Sequence, residues 1–179
     1  TIAVLPSIIR RESRSAHSFD SQQQIVAYLN ESALTATVTK PKRIDLGPLR
    51  RQSQWDIFQF GAVSIKESLA DYDTGTDYTL VMEILVPGNQ AVFGIETYIV
   101  DREGDSVFSF LLNSHHKMFA DANLYAKNSS EDARNSMIRK ATRVGLEAFT
   151  LQVRHAREAA PSLRDWESKH QIPSEMPKH

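Results

Sequence analysis

The stretch at 77–116, DYTLVMEILVPGNQAVFGIETYIVDREGDSVFSFLLNSHH, constrains this chain more than any other. Its apolar residues recur at every second position, the period of a strand and not of a helix. Tyr78, Leu80, Met82, Ile84 and Val86 fall on one face, and Thr79, Val81, Glu83 and Leu85 on the other. Pro87-Gly88-Asn89-Gln90 then supplies turn chemistry, since proline cannot donate to a ladder and glycine accepts positive φ. A second strand sets Ala91, Phe93, Ile95, Thr97 and Ile99 against Val92, Gly94, Glu96, Tyr98 and Val100. Asp101-Arg102-Glu103-Gly104-Asp105 is a polar hairpin loop, with Gly104 where a left-handed residue is needed. The third strand, 106–113, is apolar on both faces: Phe108, Phe110 and Leu112 oppose Val107 and Leu111. That composition predicts a central or doubly covered position. The stretch predicts a three-stranded antiparallel meander over 78–113.

The rest of the chain must pack on that sheet. Ile2-Ala3-Val4-Leu5-Pro6 with Ser7-Ile8-Ile9 predicts an opening strand, interrupted or ended near Pro6. Residues 10–18 are polar and basic, a loop by composition. Asp20, with Gln23 three residues on, is the expected N-cap of a first helix over 20–34, whose buried face carries Ile25, Val26, Leu29 and Ala33. TATVTK at 35–40 is a short β-branched strand stopped by Pro41, and 42–52 is a loop. Ser53 caps a second helix over 53–70, with Trp55, Phe58, Ala62, Ile65 and Leu69 in one stripe. Gly61 sits inside that helix at a cost of about 1 kcal/mol against alanine, which close packing on a strand would explain. Residues 117–127 form an irregular connection. Asn128 to Asp132 start a third helix over 129–158, whose buried stripe of Ala133, Met137, Ala141, Val144, Gly145 and Ala148 is mostly small. Pro161 is expected to end it. The expectation is one mixed α/β domain over 1–160, in the order β-α-β-α-β-β-β-α with about five strands, followed by a weakly ordered polar tail over 161–179.

Little in the chain has the pattern of reaction chemistry. It contains no cysteine, which excludes a disulfide framework, a thiolate zinc site and a cysteine nucleophile. No apolar run approaches the roughly 20 residues of a membrane span. A net charge of −1 argues against a dedicated nucleic-acid binder. The first 51 residues do hold eight bases, Arg10, Arg11, Arg14, Lys40, Lys42, Arg43, Arg50 and Arg51, against Glu12, Asp20, Glu31 and Asp45. Those bases could form a patch for RNA, lipid headgroups or an acidic partner, although a scattered solvated surface accounts for them as well. No dinucleotide, Walker or nucleophile-elbow motif occurs.

His115 and His116 are adjacent on a strand end and point to opposite faces, so the pair cannot easily chelate one metal. Glu83 and Glu96 lie on neighbouring strands, on faces expected to be partly exposed. Paired carboxylates can do acid–base work when one raises the pKa of the other, so a small hydrolase using both is the enzymatic alternative. Asp101, Glu103 and Asp105 lack the ligand pattern of a calcium loop and suit a solvated hairpin. No catalytic, cofactor-binding or metal-binding residue is therefore assigned, and a non-enzymatic domain is expected.

An opening IAVLP strand, the alternation of helices and strands, DYTLVMEI at 77–84 and the VDREGD hairpin within 99–108 together resemble a group of bacterial envelope proteins. These are the TolB amino-terminal domain, the curli-export lipoproteins and the lipoprotein activators of penicillin-binding proteins. The resemblance covers about residues 1–150. It implies a fold like an anticodon-binding domain and a non-enzymatic role in binding or assembly, with envelope proteins or further copies of the chain as partners. It further implies a place on the periplasmic side of a bacterial membrane, most simply the outer one, through a lipidated cysteine upstream of Thr1. Under that reading the membrane is met only through the anchor, and nucleic acid is not a partner. RNA binding by the anticodon-type fold is the other alternative.

Overall fold

Leu80, Met82 and Ile84 alternate with Val81, Glu83 and Leu85, and all six are buried, the mark of a strand covered on both faces. The sheet is built around that strand. The computed structural model describes residues 1–11, 14–32, 36–38, 44, 46, 54–70, 72–86, 92–124 and 130–169, without the side chains of 38, 54–60, 157 and 159–169. Among these residues the elements are β1 (Ile2–Val4), β2 (Ser7–Arg11), β3 (Ser15–Ser18), α1 (Phe19–Glu31), β4 (Ala36–Val38), α2 (Gln54–Leu69), β5 (Tyr78–Val86), β6 (Gly94–Val100), β7 (Ser106–Asn113), α3 (Lys117–Asp121) and α4 (Glu131–Lys169).

One edge of β5 pairs in parallel with the opening strand, which is broken in two. Val4 of β1 is level with Leu80, and Ile8 of β2 with Glu83. The opening strand thus advances one residue more than β5 between these pairs, and the extra residue is taken up around Pro6, which has no N–H to give the ladder. Leu5 still donates its N–H to the Leu80 carbonyl at 3.1 Å. β4 adds in parallel outside β1, and β3 antiparallel outside β2. The other edge of β5 carries β6 and then β7, both antiparallel. The meander expected from 78–113 is present, and the positive φ of Gly104 in its second turn is +80°. The turn at 87–90 lies outside the described residues.

The two faces of the sheet have separate cores. Val4, Ile9, Leu80, Met82, Ile84, Ile95 and Ile99 meet Ile25 and Leu29 of α1 and Ala141, Val144 and Phe149 of α4. The opposite face puts Leu5, Ile8, Val81, Tyr98 and Val100 under Ile65 and Leu69 of α2, with Ile44 and Leu46 alongside. The small stripe of α4 does bring it close: a Cβ on Gly145 would stand 2.8 Å from Ile95 Cγ2. Asn30 at the end of α1 pins β4 as a neighbouring strand would, accepting from Ala36 N at 2.9 Å and donating to Ala36 O at 3.3 Å.

Several expectations need correction. Residues 15–18 form β3 and not a loop, because Ala16 and His17 find the free edge of β2 at Ile9 and Ile8. With the opening strand split, the sheet has seven strands among the described residues and not about five. The cap of α1 is Ser18, whose Oγ accepts from Ser21 N, and Asp20 sits in the first turn. The connection after the meander contains α3. α4 continues through Pro161 to Lys169, so the proline does not end it and the polar stretch starts as helix; residues 170–179 lie outside the described residues. β7 is not central: it pairs with β6 alone among the described strands and is half-exposed along most of its length.

Candidate functional site

Strand register assembles a cluster of ionisable groups inside the α2 face of the sheet. Glu83 of β5 stands directly opposite Glu96 of β6, and Tyr98 follows on the same face. Ile8 is level with Glu83, so Arg10, two residues on, points the same way. Arg10 Nη1 donates to Glu83 Oε1 at 3.1 Å. Tyr98 Oη donates a short hydrogen bond to Glu96 Oε2. Both carboxyl groups are 0% exposed and Arg10 is 1% exposed. The expectation that the glutamates lie on partly exposed faces is overturned, because α2 closes over them. Gly61 makes that closure possible: a Cβ there would stand 2.5 Å from Tyr98 Oη and 3.6 Å from Glu83 Oε2.

Burial and the neighbouring Glu96 charge push the Glu83 carboxyl up to about 8, against a smaller pull from Arg10. Burial also raises Glu96, while hydrogen bonds from Tyr98 and Glu83 hold it down. Burial likewise keeps the Tyr98 hydroxyl a neutral donor. Two carboxyls and one guanidinium in a dry interior are neutral when the dyad keeps one proton. Geometry agrees, since Glu83 Oε2 and Glu96 Oε1 are buried oxygens with no donor facing them. A proton held between the two carboxyls satisfies both.

Two clefts on the described surface lie away from this dyad. A cleft of about 360 Å³ lies beside Leu69, Tyr72, Asp73, Thr74, Asp101 and Arg102. A second, of about 320 Å³, lies among Arg11, His17, Phe19, Asp20, Ile138 and Arg139. Neither is lined by Glu83 or Glu96. The histidines are elsewhere too: His116 caps α3, its Nδ1 accepting from Met118 N at 3.3 Å, and its ring packs edge-on to Phe110. His115 is exposed in the turn before it. Asp101 braces the hairpin through Asp105 N at 2.8 Å, and Asp105 pairs with Lys66. Among the described residues no three His, Cys, Asp or Glu side chains gather to hold a metal.

Arg10 must be removed from the surface basic patch, since it is interior; of the other seven bases, Arg11 and Arg14 are described and five lie outside the described residues. The sequence did carry a signal for the burial of Arg10, its in-phase position after Ile8 in an apolar strand. No helix among the described residues is long and apolar enough to cross a membrane.

No family model and no curated protein matches this chain. Among solved structures, the crystal structure of lipoprotein GNA1162 from Neisseria meningitidis is similar at 14% identity and a TM-score of 0.35, covering 85% of this chain and 94% of that one. A likeness at that score establishes neither a shared fold nor a shared role.

Proposed function

We propose that this domain is a non-enzymatic binding or assembly module of the bacterial envelope, held on the periplasmic side of the outer membrane by a lipidated cysteine upstream of Thr1. The observation that supports the non-enzymatic half is the closure of the Glu83–Glu96 dyad. A general acid or base must come within about 3 Å of the proton it moves, and groups with 0% exposure are out of a substrate's reach. Their perturbed titration follows from burial and mutual charge, which a structural dyad produces as readily as a catalytic one. The envelope half, with its anticodon-binding type of fold, rests on the resemblance carried by residues 2–6, 77–84 and 99–108.

The test uses the natural gene expressed in a bacterium. The product is expected to incorporate labelled palmitate, to sediment with membranes and to be digested by protease added to spheroplasts. An unlabelled cytoplasmic product sinks the envelope assignment. A Glu83→Gln, Glu96→Gln double variant is expected to complement a deletion of the gene as well as wild type; loss of complementation with an intact fold would favour the hydrolase.

A further inference from the structure

We propose that β7 is the contact between two copies of this chain, which join through it edge to edge, antiparallel, in a two-fold symmetric dimer with one continuous sheet. The proposal rests on the assembly reading above and deepens it by naming the partner as a second copy.

The starting observation is a mismatch between composition and place. SVFSFLLN at 106–113 is apolar on both faces, as an inner strand is, yet among the described residues it stands at an edge of the sheet. Every second residue of an antiparallel edge strand points its N–H and C=O away from its one partner, leaving a row of groups ready for another strand. Proteins guard such edges by shortness, charge, proline or bulges. The other two edges are guarded by shortness: β3 has 4 residues and β4 has 3. β7 has 8 residues, no charge and no proline. Its one irregularity is the register shift opposite Ile99 and Val100, which leaves Val107 as an extra residue, 52% exposed, at the strand's entry. Residues 108–113 beyond it are regular.

The same features favour a second copy over another protein. A two-fold axis perpendicular to the sheet pairs each residue with one of the same face. Phe108, Phe110 and Leu112 therefore meet only side chains of their own face on the other copy, and so do Val107, Ser109 and Leu111. Axes at Ser109, Phe110 or Leu111 all obey this rule. None of them sets like charges or a charge and an apolar group opposite one another, because the strand carries no charge. Phe108 is already held by an edge contact to Phe149 of α4, with ring centroids 5.3 Å apart, so half-buried aromatic surface is presented in a fixed position. A single strand pair falls at or below the roughly 1,200 Å² that separates standard from weak interfaces, so dissociation in the micromolar range is expected.

The test is sedimentation of the purified chain from about 1 to 200 µM, a range set by that weak-interface class. Wild type is expected to pass from 20.2 kDa to twice that mass. Ser109→Lys, with unchanged circular dichroism, puts a charge into the shared strand pair, opposite the same position, Leu111 or Asn113 of the other copy according to the axis, and is expected to weaken dimerisation by about tenfold or more. Because the chain has no cysteine, single cysteines report the register. Opposed residues of an antiparallel pair are about 4.5–5.5 Å apart at Cα, within disulfide reach. Under mild oxidation Ser109→Cys alone, Leu111→Cys alone or a mixture of the two is expected to give linked dimers, according to which axis is used; Val63→Cys on the exposed side of α2 is not. A chain that stays monomeric at 200 µM, a dimer indifferent to Ser109→Lys, or equal linkage through Val63→Cys overturns the proposal. None of these outcomes bears on palmitate labelling or on the carboxylate dyad, so the dimer can fail while the envelope reading stands, and the reverse.

Discussion

Glu83 and Glu96 make the stability of this domain depend on pH in the direction opposite to that of an ordinary paired carboxylate. An acid whose folded pKa is raised keeps its proton in the native state at a pH where the unfolded chain has already released it. Stability contributed this way is fully present below the unfolded value and lost as pH climbs through the folded one. For Glu83 that window runs from 4.5 to about 8, and the upward shift of Glu96 acts with the same sign. At about 1.4 kcal/mol per pH unit, the loss between pH 5 and pH 8 is about 4 kcal/mol. Glu83→Gln is the informative perturbation, because it removes the carboxyl whose folded value is raised and leaves Arg10 and Glu96 in place. Urea unfolding of wild type and variant at pH 5, 6, 7 and 8 gives the assay. The free energy of wild type relative to the variant is expected to fall by about 4 kcal/mol across the range, so the substitution is best tolerated at pH 8. Taking the difference cancels the histidines and the other groups common to both chains. A difference constant within about 1 kcal/mol, or one that grows with pH, would refute the reasoning, since the raised folded value of Glu83 fixes the sign of the change.

Two further substitutions probe the same region. Gly61→Ala drives a methyl group to 2.5 Å from Tyr98 Oη and is expected to cost about 1–3 kcal/mol by overpacking, read as a lower urea midpoint, whereas a surface helix glycine would gain from the change. Arg10→Met leaves the dyad without its cation and is expected to cost about 3–5 kcal/mol at pH 8 and clearly less at pH 5, where the carboxyls can take up protons; an equal loss at both pH values would contradict the charge balance drawn here.

Local pattern in the chain settles the periodic part of this fold. The period-2 alternation at 78–100 assigned each residue of β5 and β6 to one side of its own strand, because side-chain direction in a strand follows from parity alone, while the register that sets Glu83 opposite Glu96 came from the tertiary structure. The helical periodicities likewise placed α1, α2 and most of α4, although Ser18 and not Asp20 caps α1 and Ser53 lies outside the described residues, and Gly61 was rightly read as a point of close packing. Tertiary structure alone decided which strands became edges and which faces were sealed. β7 has the composition of an inner strand and lies outside, since strand order depends on which partners the rest of the chain supplies. β3 exists because β2 had a free edge to offer four residues that read as loop. Arg10 counted as a surface base until parallel pairing with β5 set it beside Glu83, a contact across 73 residues of chain that no local pattern encodes. The burial of the dyad follows from α2 lying over it, and α2 can lie there because Gly61 presents no side chain to Tyr98. Burial and charge pairing are sums over neighbours distant in sequence, whereas face and period are properties of a residue and its nearest neighbours.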